Sequence, residues 1–220
     1  MAALFAVSIA IIEWVKWFTK SPPNPILLTI IAMLVAAFAA YRLSSIRPLI
    51  WNLKQGRDGE KAVGQFLERL RNQGAHVLHD FPGDGFNIDH IVIHTSGIYL
   101  METKTFTKPA TGEAVITYDG ETLLVAGHKP DRDPVRQAKA SARWLAEIIA
   151  ESTGKNWNVT PVLLFPGWLI DPHPGQKQFE VHALNPKVLP NFIGNSRTKL
   201  TPEEVSMASS HLSRYARSVL

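Results

Sequence analysis

The stretch "IDHIVIHTSGIYLMETK", residues 88–104, decides how the chain is read. From Asn87 to His94 apolar side chains fall on much of both faces, the pattern of a strand buried in the middle of a sheet. Thr95-Ser96-Gly97 is a turn, and Ile98 to Thr105 forms the next strand. The two strands carry Asp89, Glu102 and Lys104, three charges in an otherwise apolar setting. Side chains alternate along a strand, so Glu102 and Lys104 share one face while Met101 and Thr103 take the other. A two-residue loop at Ser96-Gly97 sets Asp89 opposite Lys104, and a loop at Thr95-Ser96 sets it opposite Glu102. Either register gathers the three side chains on one face, with neighbours about 5 Å apart. A three-residue loop separates them unless a bulge restores the register. An even effective register is therefore expected.

Two adjacent carboxylates repel, and each raises the pKa of the other. One lysine offsets only one charge. Paired hard oxygens are what Mg2+ uses, with water and phosphate completing its shell. A bound divalent ion lowers the pKa of its water and steadies charge on a transferring phosphoryl group. Lys104 would orient or deprotonate that water, or stabilise the developing charge. The plainer alternative is a cross-strand Asp–Lys ion pair beside a solvated glutamate, because so short a motif recurs by chance.

Outward from the hairpin, "GRDGEKAVGQFLERLRNQG" places Ala62, Val63, Phe66, Leu67 and Leu70 at helical spacing and stops at Gly74. "AHVLHD" reads as a strand and "FPGDGF" as a turn that brings Asp84 near the charged hairpin. "GEAVITYDGETLLVAG" is a second hairpin about Asp119-Gly120. "DPVRQAKASARWLAEIIAES" is a helix with Pro134 in its first turn and Ala138, Ala142, Leu145, Ile148 and Ile149 on its buried face. "VTPVLLFP" is a buried strand. A strand around Phe179–Val181, a helix near 185–193 and a helix capped by "TPEE" at 201–204 follow. A mixed β-sheet with helices on its faces, an α/β (α+β) fold, is the simplest layering. The absence of cysteine excludes disulfides, thiolate catalysis and cysteine zinc sites. His90 points away from Asp89 as a core residue, and His76, His79 and His94 lack zinc spacing. Gly56 and Gly59 lack the Lys-Ser/Thr of a P-loop.

The N-terminus is of another kind. Residues 25–41 are uncharged, at the short end of the length that spans a bilayer, with Tyr41 and Trp51 placed for an interface. Residues 2–12 are apolar before Glu13 and Lys16 intrude between Trp14 and Trp17, so this segment either spans or lies in the interface plane. "KSPPNP" breaks the two. Lys16, Lys20, Arg42, Arg47 and Lys54 against Glu13 account for the whole net charge of +4, leaving 18 of 23 basic and 18 of 19 acidic residues beyond. The basic run after the second segment predicts a cytoplasmic soluble part, although Lys16 and Lys20 oppose a two-span hairpin. The expected organisation is a membrane-anchoring region over 1–52 (spans near 2–18 and 25–43), a domain over 53–168 and a helical extension over 169–220. Membrane lipid is one expected partner, and the membrane helices or a strand edge would also support a homo-oligomer.

Taken in order, "GRDGEKAVGQFLERL", "NIDHIVIHTSGIYLMETKT", "DPVRQAKA" and "VTPVLLFP" resemble the nuclease-related, or NERD, domain family over roughly residues 54–168. That family is similar to the PD-(D/E)XK nucleases with their restriction-endonuclease-like fold. The resemblance implies Mg2+- or Mn2+-dependent hydrolysis of nucleic acid, most naturally DNA. Asp89, Glu102 and Glu60 would hold the metal, Lys104 would be the motif lysine, and Gln137 would contact phosphate or the metal's water. Glu60 is also explained by a place in a helix's first turn, where acids meet the dipole favourably, and Gln137 by plain exposure. Lys108, Lys129, Arg132, Arg136 and Lys139 form a basic group suited to gripping phosphates or to solvating a helix. The segment "TFTKPATGEAVIT" is longer than the compact turn expected after the motif lysine. The alternatives are a non-catalytic nucleic-acid-binding or signalling module, or a membrane interaction protein, on the same fold.

Overall fold

A computed structural model of the chain describes residues 2–20, 25–109, 111–171 and 178–219. The chain divides into two compact units, Met1–Asn52 and Leu53–Leu220. The first contains helix α1 (Ala2–Thr19) and the start of helix α2 (Pro25–Arg71). Within α2, Thr29–Arg47 is long and apolar enough to cross a membrane, and it is the one such helix among the described residues. Its apolar side chains, such as Leu34, Phe38 and Tyr41, are exposed. In α1, Lys16 pairs with Glu13 at 2.9 Å, and Trp14, Trp17 and Phe18 pack edge to edge. The break read at "KSPPNP", the interfacial place of Trp51 and the burial of Ala62 fall largely outside the described residues.

In the second unit a mixed sheet of five strands runs in the order β1-β2-β3-β6-β8. Its strands are β1 (His76–Pro82), β2 (Asn87–His94), β3 (Gly97–Thr103), β6 (Val159–Leu164) and β8 (His182–Leu184). β1, β2 and β3 pair antiparallel, and β6 and β8 add in parallel. The sequence places the last strand three residues early: pairing begins at Val162↔His182, while Glu180 turns out to meet Lys139. β3, at the centre, is buried at every residue, as its apolar stretch Ile98–Met101 requires, and that burial takes Glu102 and Thr103 with it.

Alternation divides the sheet between two layers of helix. Ile91, Ile93, Ile98 and Leu100 pack on helix α3 (Pro134–Thr153) and helix α5 (Pro202–Val219) through Ala142, Leu145, Ile149, Val205 and Leu212. Val92, Tyr99 and Met101 face the end of α2 through Val63, Leu67 and Leu70, and the short α4 (Leu189–Gly194) through Leu189 and Ile193. Each fully buried Leu, Ile or Val stabilises by about 1.5–3 kcal/mol. Capping fixes where these helices begin. Asp133 accepts from the amides of Val135 and Arg136 at 3.0 and 3.1 Å, ahead of Pro134. Thr201 and Glu204 satisfy each other's backbone amides at 2.9 and 3.3 Å, the reciprocal box that their spacing predicts.

A second, three-stranded sheet, ordered β5-β4-β7, had no counterpart in the sequence reading. The hairpin β4 (Val115–Tyr118) and β5 (Leu123–Val125) forms about Asp119-Gly120 as expected, and β7 (Leu169–Ile170) pairs with it in parallel.

Two features set up the candidate site. β2 and β3 pair as His94↔Gly97, Ile93↔Ile98 and Ile91↔Leu100, so Thr95 and Ser96 are the loop. Gly97 opens β3 at φ +144°, which side-chain-bearing residues rarely adopt. The second feature is the continuity of α2 through Gly56 and Gly59. Glu60 therefore lies well inside a helix, and its place in a first turn, favoured by the dipole, is corrected.

Candidate active site

One residue beyond the last paired positions, the observed register sets Asp89 opposite Glu102. Of the two loops left open by the sequence, the structure takes Thr95-Ser96. Asp89 and Glu102 lie on the sheet face that meets α3. The Asp89 carboxylate accepts from the Thr103 amide at 2.6 Å, which ties β2 to the end of β3. Just past that end, the Lys104 amide donates to the Leu164 carbonyl at 2.8 Å, so the backbone under the motif is held from both sides.

Three of the expected residues meet directly. Lys104 Nζ is 3.1 Å from Glu102 Oε2 and 3.1 Å from Gln137 Oε1, and Gln137 Nε2 is 3.5 Å from Glu102 Oε2. Gln137 reaches the site from the first turns of α3. Glu102 is 2% exposed, and its other oxygen, Oε1, is buried without a hydrogen-bond partner. A buried polar atom left unsatisfied is costly, and the cost is greater on a charged group.

The electrostatics are those of crowded acids. Burial is the largest influence raising the Glu102 pKa, with Asp89 and Glu60 adding to it and Lys104 opposing. Burial also raises Asp89, against the Thr103 hydrogen bond and Lys104. Glu60 is raised by burial, then by Asp89 and Asp80, with Lys104 opposing. Glu60 thus shares a field with the β2–β3 carboxylates although α2 covers the other face. Gly59 explains how the helix comes so near: a Cβ there would collide with Thr105 Cγ2.

Asp80 is a member that the sequence reading missed. It sits in β1 at φ +48°, between the pairs His79↔His90 and Phe81↔Ile88, and so lies across from Asp89. Aspartate tolerates this backbone better than most residues. Asp84, expected near the hairpin charges, is exposed and is not among the groups acting on Asp89 or Glu60. Only the pairing of β1 with β2 reveals Asp80, since nothing in its sequence neighbourhood marks it.

His90 is the core residue expected, 4% exposed, with burial and then His79 lowering its pKa to about 4. Its Nδ1 is 2.9 Å from that of His79, whose Nε2 meets Glu68 at 2.6 Å. This chain ties β1 and β2 to α2, about two turns from Glu60.

The basic residues separate. Arg132 and Arg136 are exposed at the start of α3, beside Gln137, and Lys108 and Lys129 are exposed on the connecting loops. Lys139 is drawn away to Glu180 at 2.9 Å, since residues two apart on a helix point in different directions.

The donor set suits a hard divalent cation in one respect: Glu102 Oε1 is an unpartnered, buried anionic oxygen close to a second carboxylate. Among the described residues no three His, Cys, Asp or Glu side chains converge closely enough to hold a metal by themselves. Such a cation would take Glu102 and Asp89, with Glu60 nearby, and complete its shell with water and phosphate oxygen, the usual habit of Mg2+.

The nuclease-related domain profile matches residues 55–166, half of the chain, and the chain belongs to that family. An uncharacterized protein of Bacillus anthracis is 39% identical over 57 residues, which cover 24% of this chain and 27% of that protein. The chain therefore matches about a quarter of that relative's length. The solved structure of Pyrococcus furiosus SfsA in complex with Ca2+ aligns over 59% of this chain and 54% of its own. At 18% identity and a TM-score of 0.29 that likeness is too loose to support any inference.

Proposed function

We propose that the protein is a membrane-anchored nuclease whose soluble unit hydrolyses phosphodiester bonds in DNA on the cytoplasmic side, with Mg2+ or Mn2+. The observation that carries this reading is the buried, unpartnered Glu102 Oε1 beside Asp89, with Lys104 and Gln137 gathered on the other oxygen. Stable cores rarely leave such an oxygen unmatched, and perturbed carboxylates concentrate at functional sites. When bound, the metal supplies an acidified water and neutralises charge at the phosphate. Glu102 Oε2 holds the Lys104 ammonium at the strand end. Gln137 fixes that ammonium from the helix side, so its remaining proton faces the incoming phosphate or the attacking water. Arg132 and Arg136 extend positive charge along α3 to grip the flanking backbone. Thr29–Arg47 is the anchor, and Arg42, Arg47, Lys54 and Arg57 set its orientation.

The test uses the full chain in detergent with supercoiled plasmid and single-stranded DNA, with Mn2+ or with chelator, beside Lys104→Ala. Metal-dependent cleavage lost in the variant is the expected result. Binding without cleavage overturns the enzyme reading in favour of a non-catalytic nucleic-acid module, which the lack of a closed three-ligand group among the described residues favours. A reporter fused after Leu220 that is active only outside the cell overturns the orientation.

A further inference from the structure

At the opposite end of the large sheet, β8 pairs with β6 only over Val162–Leu164. The first residues of β6 thus have no strand beside them on that edge among the described residues. Two cavities flank this gap. One, of about 720 Å3, lies between the sheet and α4, against Tyr99, Leu184 and Phe192. The other, of about 290 Å3, lies between β6 and α3. They share one wall, made by Thr160, His182 and Lys199.

That wall is built of unsatisfied donors. Thr160 brings a hydroxyl, His182 an imidazole and Lys199 an ammonium. Among the described residues the structure gives none of these polar groups a hydrogen-bond or ion-pair partner. Burial, and after it the Lys199 ammonium, lowers the His182 pKa, so the imidazole meets the cleft uncharged, beside a single cation. The acid at the rim, Glu180, is already held by Lys139 at 2.9 Å and by Arg143 at 3.9 Å. An anion is what this wall lacks. The larger cavity is different in kind. Phe192 stands edge to face with Tyr99 at 5.9 Å and with His182 at 4.9 Å. Asn191 and Asn195 bring amides to the same cavity. Its volume is in the range of about 300–1,000 Å3 typical of small-molecule sites. Aromatic faces suit a flat ring, and amides pair with ring-edge donors and acceptors.

We propose that this cleft binds a nucleoside monophosphate, with the phosphate on the Thr160–His182–Lys199 wall and the base in the larger cavity. A bare phosphate fills only the wall, and a lipid headgroup brings no flat aromatic ring for Phe192. The site is separate from Glu102 and stands whether or not the chain cleaves DNA.

Isothermal titration calorimetry on the full chain in detergent tests it with three probes: adenosine 5′-monophosphate, adenosine and inorganic phosphate. The monophosphate should bind one per chain, and at least tenfold tighter than either fragment. Lys199 is exposed, so Lys199→Ala leaves the fold intact, and it should weaken the monophosphate about tenfold or more. Asn195→Ala should weaken the monophosphate and adenosine alike, and leave phosphate unchanged. Lys104→Ala should leave the monophosphate affinity at the wild-type value. No heat with the monophosphate overturns the proposal, as does wild-type affinity in Lys199→Ala. Equal affinity for monophosphate and phosphate removes the base subsite. Binding lost in Lys104→Ala moves the nucleotide to the Glu102 site and overturns the cleft.

Discussion

Glu102→Gln isolates the charge that the candidate site cannot satisfy on its own. Glu102 is 2% exposed; Oε2 has Lys104 at 3.1 Å, and Oε1 has no partner. Glutamine keeps the shape and leaves an oxygen for Lys104. It also removes the negative charge that Asp89 opposes in this buried position. Against this, the ion pair with Lys104 is lost. Lys104 keeps Gln137 at 3.1 Å and the new amide oxygen as acceptors, so what is lost is the charge of one hydrogen bond, about 1 kcal/mol. Relieving an unsatisfied buried group is worth about 1–3 kcal/mol. The variant should therefore be more stable than wild type by about 1 kcal/mol in chelator at pH 7, a rise in Tm of roughly 2–4 °C for a unit of this size. Manganese should reverse the order. Wild type gains about 2.7 kcal/mol at a hundredfold excess over Kd, and the variant gains nothing. The assay is thermal unfolding of the full chain in detergent, by near-ultraviolet circular dichroism, with chelator and with Mn2+. A variant that melts below wild type in chelator, or that keeps the wild-type response to Mn2+, refutes the account of Glu102 as an unmatched ligand.

The same field sets a pH dependence. Glu60, Asp89 and Glu102 are raised above 4.5, 3.8 and 4.5, in each case chiefly by burial. Their protonation favours the folded state, so the stability they withhold at neutral pH returns as the pH falls through the raised values. The Tm advantage of Glu102→Gln over wild type in chelator should thus shrink between pH 7 and the ordinary carboxylate range; an advantage that widens contradicts this. Gly59→Ala should destabilise by about 1–3 kcal/mol through overpacking against Thr105 Cγ2, despite alanine's helix preference of about 1 kcal/mol. Thr105→Ser removes that methyl and should restore most of the loss in a double-variant denaturation series, whereas Gly56→Ala, with its nearest atom 3.8 Å away, should be tolerated. For DNA affinity measured across a salt series, Arg136→Ala should lower the slope by about 1. Lys139→Ala, whose ammonium is held by Glu180, should leave the slope unchanged.

What the sequence conveys here is parity and period, and what it withholds depends on contact between distant segments. The strand alternation of 88–104 fixes that Asp89, Glu102 and Lys104 share a face, and both two-residue loops preserve it. The choice between them is made by the backbone of Gly97, which opens β3 opposite His94 and so leaves Thr95 and Ser96 to turn the chain. Gly56, Asp58 and Gly59 read locally as the start of a helix, yet α2 runs on through them. The reason for Gly59 lies in Thr105, forty-six positions away, where a side chain would collide. Asp80 is invisible for a similar reason: its relation to Asp89 exists only once β1 has paired with β2. These departures from local preference are not scattered. A glycine inside a helix, an aspartate in left-handed backbone within a strand and a buried glutamate oxygen without a partner all converge on the ends of β2 and β3. Each is unfavourable alone, and folds concentrate such local violations where function demands them. The corner around Glu102 thereby stands apart by its physical cost, independently of any motif the residues spell.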